Sequence, residues 1–86
     1  MPHIQFTPQL RRFTETPELD CAAATLAEAL AAAFALNPRL RGYVLDDQGA
    51  LRPNVAVFVD GRRSQDTHQT LRPDSQVFVL QALSGG

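Results

Sequence analysis

Two stretches of this chain, Val55-Ala56-Val57-Phe58-Val59 and Val77-Phe78-Val79-Leu80, are apolar at every position. They are short and rich in β-branched and aromatic residues, which marks them as strands. Side chains alternate faces along a strand, so both runs put apolar groups on both sides of a sheet. If Val55, Val57, Val59, Val77 and Val79 face a covering layer, Phe58, Phe78 and Leu80 face away from it. An apolar cluster left open in this way marks a binding surface. Phe58, Phe78 and Leu80 are therefore the candidate partner interface. Two alternatives compete: the polar segment 62–70 folds over them, or the opposite register holds.

The covering layer is legible as well. Thr25-Leu26-Ala27-Glu28 has the T-x-x-E form of a capping box, in which the threonine hydroxyl accepts from the Glu28 amide and Glu28 reaches back. Leu26, Leu30 and Phe34 then recur at helical spacing through an alanine-rich run, with Ala33 beside them. That stripe is core. Asn37-Pro38 ends the helix, because proline lacks the amide and disfavours helix in the residue before it.

Around these elements, Ile4-Gln5-Phe6-Thr7 alternates apolar and polar, as a half-buried strand does. Pro8 and Arg11-Arg12 mark a break or turn after it, and Phe6 can face either side. Glu18-Leu19-Asp20-Cys21-Ala22 alternates again and pairs antiparallel with the first strand. Leu40, Tyr43, Val44 and Leu45 form an apolar patch of strand or turn before the turn Asp46-Asp47-Gln48-Gly49. Asp60-Gly61 is a tight turn, 62–70 reads as loop, and Pro73-Asp74 turns the chain into a final strand over 76–82. The order strand, strand, helix, strand or turn, strand, strand predicts an α+β fold with one main helix across one face of a mixed sheet. A β-grasp fits this order, with the first and last strands side by side as a central parallel pair.

Eighty-six residues make one domain, near the size at which a single core only just offsets chain entropy. A deep catalytic pocket is not expected, and the chain reads as a non-enzyme. A net charge of −1 lacks the basic footprint of a nucleic-acid binder. No apolar run reaches the roughly 18 residues of a membrane span, and no secretory leader is legible at the N-terminus. The lone cysteine, Cys21, cannot form an internal disulfide framework and suits a reducing compartment. The expectation is a cytoplasmic protein without nucleic-acid or membrane partners.

Few residues suggest chemistry of their own. His3 and His68, even with Cys21, do not form a metal-ligand pattern, so no metal and no cofactor are expected. Cys21 reads as a small buried hydrophobe; a sulfur-relay role needs an exposed, low-pKa thiol. The serines lack a nucleophile-elbow context, and no phosphate loop is present.

The sequence closes on Leu83-Ser84-Gly85-Gly86, fed directly by the last strand. A diglycine is a thin strip of backbone with no Cβ, able to take almost any φ/ψ and to thread a channel too narrow for side chains. It suits a protein whose own carboxylate is the reacting group. The bland reading is a frayed end. Residues 1–82 are read as the folded domain and 83–86 as a flexible tail.

Taken together, T-L-x-E-A-L over 25–30, Leu40-Arg41-Gly42-Tyr43-Val44-Leu45-Asp46, Val57-Phe58-Val59-Asp60-Gly61 and the closing Leu83-Ser84-Gly85-Gly86 resemble the MoaD/ThiS family of sulfur carriers. The resemblance runs from Ile4 to Gly86 and implies a ubiquitin-like β-grasp. It implies a carrier whose Gly86 carboxylate is adenylated by an ATP-dependent activating enzyme and converted to a thiocarboxylate. A sulfur-accepting biosynthetic enzyme, of molybdopterin, thiamine, cysteine or secondary-metabolite type, is then the second partner. Gly85 and Ser84 would thread the tail. The longer segment from Thr7 to Glu18 and the polar 62–70 stretch depart from the molybdopterin subunit and leave the pathway open. Two other functions fit the same residues: a ubiquitin-like modifier joined through Gly86 to target lysines, and a plain interaction module. All eight basic residues here are arginine, so the chain offers no side-chain amine for polymerising on itself.

Overall fold

The structure is a computed structural model that describes residues 1–7 and 16–81. The turn expected at Pro8 and Arg11-Arg12, and the tail residues Ser84, Gly85 and Gly86, lie outside the described residues. The elements in chain order are β1 (His3–Phe6), β2 (Leu19–Asp20), α1 (Leu26–Leu36), α2 (Arg39–Val44), β3 (Val55–Val59), β4 (Arg62–Ser64) and β5 (Gln76–Gln81). The five strands form one mixed sheet in the order β2-β1-β5-β3-β4. β1 and β5 are parallel neighbours at its centre, and the other pairs are antiparallel.

The apolar strands behave as their alternation requires. Val55, Val57, Val59, Val77 and Val79 are buried on one face, joined there by Ile4 and Phe6 of β1. Phe6 therefore belongs to the covered face. Leu26, Ala29, Leu30 and Ala33 of α1 complete the core from above, with Leu40 and Val44 of α2 and Leu71 closing its ends. The helix presents Ala29 and Ala33 to the core more fully than Phe34, which packs only partly buried at its margin. Small residues at the centre of the contact let the helix lie close to the sheet.

The helix N-terminus is capped twice. Thr25 is extended and its Oγ1 accepts from the Glu28 amide at 3.3 Å. Glu28 reaches back one residue further than expected and accepts from the Ala24 amide at 3.2 Å. The amides of Leu26 and Ala27 donate to the carbonyls of Gln69 and Thr67 at 2.9 and 2.7 Å, so a loop supplies acceptors for donors the helix cannot satisfy itself. Asn37 ends α1 with its amide on the Ala33 carbonyl.

Two elements differ from the sequence expectation. The apolar patch at 40–45 is mostly a second helix, α2, which Pro38 opens because its fixed φ suits a helix start. Arg62–Ser64 is an edge strand rather than loop. Asp60 and Gly61 have φ of 53° and 84°, the left-handed pair that folds a chain straight back into a hairpin, so turn geometry imposes pairing that the polar sequence did not announce.

Candidate protein-docking site

Phe58 and Phe78 are directly opposite each other across β3 and β5, and Ala56 is opposite Leu80. All four are half-buried and lie on the sheet face away from α1. The row through the two phenylalanines extends to Gln5 on β1 and to Arg63 on β4. The expected register is therefore the one formed. Segment 65–70 does not fold over this face: its Thr67 and Gln69 carbonyls cap α1, and Leu71 donates to the Ala24 carbonyl at 2.8 Å, all on the helix side. The cluster Phe58, Phe78 and Leu80 runs along β5 toward Gln81, which pairs with Val55 where the described chain ends.

The face has charged margins. At the β2 side, His3 Nδ1 lies 2.8 Å from Asp20 Oδ1 and His3 Nε2 lies 2.9 Å from Glu18 Oε2. The Asp20 bond, then the Glu18 bond, raise the His3 pKa above its ordinary value by stabilising the imidazolium. This histidine is a clamp between carboxylates. Among the described residues no cluster of histidine, cysteine, aspartate or glutamate fits a metal ion.

At the far end of β5, the Asp60 carboxylate accepts from the Gln76 amide at 2.8 Å, from Ser75 Oγ at 3.0 Å and from Arg72 at 3.3 Å. The Gln76 bond leads the causes that hold its pKa below the usual carboxylate value. Sequence reading missed this lock, since Asp60-Gly61 looked like turn chemistry alone. The nearby run Arg72-Pro73-Asp74-Ser75 was its one available signal. Cys21 is buried, and its thiol donates to the Pro2 carbonyl across 3.6 Å. Burial, and secondarily Asp20, push its pKa up, which keeps it a thiol and makes it a poor nucleophile. Among the described residues this face offers an apolar centre with charged margins. No helix among the described residues is long and apolar enough to cross a membrane.

No family model matches this chain, and no curated protein matches it in sequence. Solved structures match it over essentially its whole length. A chain of the Amycolatopsis orientalis BexX/CysO complex superposes with a TM-score of 0.82 at 15% identity, covering 100% of both chains. SAMP1 from Haloferax volcanii gives 0.78 at 22% identity, covering 99% of this chain and 98% of that one. Urm1 from Trypanosoma brucei gives 0.68 at 19% identity, covering 99% and 94%. At these identities the likeness defines the architecture: this chain has the ubiquitin-like β-grasp fold.

Proposed function

We infer that the protein is a sulfur carrier that works through the carboxyl group of Gly86. The observation that carries this reading is the apolar face of Phe58, Phe78 and Leu80, which runs along the strand that leads to Gly85-Gly86. A partner seated on that face holds β5, and the five residues beyond Gln81 can extend at most about 17 Å into its active site. Only glycine at the last two positions passes a constriction shaped around bare backbone.

The chemistry follows from the carboxylate. It is a poor electrophile, so an activating enzyme first joins it to the α-phosphate of ATP, releasing pyrophosphate and leaving an acyl-adenylate. A sulfur donor then displaces AMP, and Gly86 carries a thiocarboxylate that a separate biosynthetic enzyme consumes. This chain supplies the docking face and the threaded backbone; the activating enzyme supplies the catalysis. The sequence resemblance supports the same roles, with Ser84 and Gly85 as the threaded residues.

One observation favours a second reading. The fold is shared with a protein named as a small archaeal modifier, from Haloferax volcanii. Conjugation to lysine uses the same acyl-adenylate, with an amine instead of sulfur as acceptor. Appending one alanine after Gly86 tests the shared step. Purified with the activating enzyme and ATP, the natural chain is adenylated and the extended chain is not. Equal adenylation of both removes Gly86 as the reacting residue.

A further inference from the structure

The docking face is polarised across its width. Arg63 is the partner of Phe58 in the β3–β4 pair, and paired residues share a face, so its exposed guanidinium borders the apolar cluster on the β4 side. His3 shares that face two residues from Gln5, and its imidazole gathers Glu18 and Asp20 at the opposite margin. Both carboxylates are more than half exposed, at 55% and 66%. Even with His3 protonated, the three described groups His3, Glu18 and Asp20 sum to a negative charge. The sheet order puts β2 and β4 at opposite edges, four strand spacings or roughly 19 Å apart. That exceeds the Debye length of about 8 Å at physiological ionic strength, so the two margins do not neutralise each other.

An apolar centre alone lets a partner seat in either of two orientations, and only one of them aims the tail at an active site. Opposite charges at the two margins remove that ambiguity. We propose that the partner is a protein surface with an apolar centre, an acidic group placed against Arg63 and a basic group placed against the Glu18–Asp20 pair, and that this charge pattern fixes the direction in which β5 and its tail are presented. The proposal rests on the carrier reading above. Rim charges act mainly on encounter and orientation, while the phenylalanines and Leu80 hold the complex. The reversed seating sets Arg63 against a basic group and the carboxylates against an acidic one, which costs more than the loss of either pair.

Arg62 provides an internal control. It neighbours Arg63 on the same edge strand but is the partner of Val59, so alternation turns it to the other face. The probe is the host's ATP-dependent adenylating enzyme of the ubiquitin-activating type, and the readout is carrier-dependent ATP–pyrophosphate exchange at physiological ionic strength. Arg63→Glu, and separately the pair Glu18→Arg with Asp20→Arg, should each raise the KM for the carrier about tenfold with kcat little changed. The loss should fade in high salt, and Arg62→Glu should stay within about twofold of the natural chain. Circular dichroism melting confirms that each variant is folded, and Arg63→Gln should fall between the natural chain and Arg63→Glu. Equal losses for Arg62→Glu and Arg63→Glu, or no loss for either margin, overturn the proposal. Absence of exchange with the natural chain overturns instead the carrier reading on which it rests.

Discussion

Phe58 and Phe78 face each other across the two antiparallel strands β3 and β5, on the side of the sheet that α1 does not cover. The proposed docking surface rests on this pairing. The same alternation that sends Val57, Val59, Val77 and Val79 into the core sends these two rings outward.

The first prediction concerns this face. Replacing Phe58 and Leu80 together by arginine leaves the core valines in place, so the domain should still fold. In the proposed complex both positions lie in the apolar centre, where an unpaired buried charge costs about 3 kcal/mol or more. Binding to the activating enzyme, measured by titration calorimetry, should weaken by a factor of about 100 or more. Unchanged binding rules this face out as the docking surface.

A second prediction concerns the helix cap. Thr25 Oγ1 takes the Glu28 amide, and the extended backbone of Thr25 is suited to that role. Thr25→Ala removes the acceptor and should cost about 1 kcal/mol in urea unfolding, with the m-value unchanged. Thr25→Ser should recover most of it.

The acid–base behaviour of His3 gives a third. Its folded-state pKa is raised by Asp20 and Glu18, so the folded protein holds the proton more tightly than the unfolded chain. The resulting stability is fully present below about pH 6.5, the ordinary histidine value, and is lost as pH rises through the raised one. His3→Gln should therefore lie furthest below the natural protein in urea midpoint near pH 6, and the gap should narrow by pH 9. A gap that is constant with pH contradicts the clamp.

Asp60 titrates in the opposite sense. Its pKa is depressed, first by the Gln76 amide, so its contribution is present above the ordinary aspartate value and lost as pH falls through the folded one. Asparagine tolerates the positive φ of 53° at this position, whereas valine does not. Asp60→Asn should lower the thermal midpoint at pH 7 slightly and flatten the acid limb. Asp60→Val should lower it much further, because backbone strain adds to the lost bonds.

Much of this architecture was legible in the chain because the signals were local. The alternation of Val55–Val59 and Val77–Val79 placed the core, and the Thr25–Glu28 box placed the helix start to the residue. What escaped depended on geometry rather than composition. Nothing apolar marks Arg62-Arg63-Ser64 as a strand; the left-handed backbone at Asp60 and Gly61 lays it against β3. α2 is only six residues and contains Gly42, so neither propensity nor period identifies it. The placement of Phe58, Phe78 and Leu80 on the face away from α1 could be read because a one-helix layer covers one face. The reach of His3 to both Glu18 and Asp20 could not, since it depends on the register between β1 and β2.

Sulfur transfer and conjugation part after the adenylate. If the chain is a modifier, tryptic digests of the host proteome should contain target lysines bearing the peptide 64–86, because the sequence has no lysine and its last cleavable arginine before the tail is Arg63, Arg72 being followed by proline. If it is a carrier, such adducts should be missing from cells that produce the protein and its activating enzyme.

The most direct measurement is the intact mass of the protein purified from its native host without thiol reagents, with fragmentation of its C-terminal peptide. The carrier account predicts a population heavier by the exchange of one oxygen for one sulfur, with the change confined to Gly86. A single mass with an ordinary Gly86 carboxylate, in cells where the activating enzyme and sulfur donor are present and active, would contradict it.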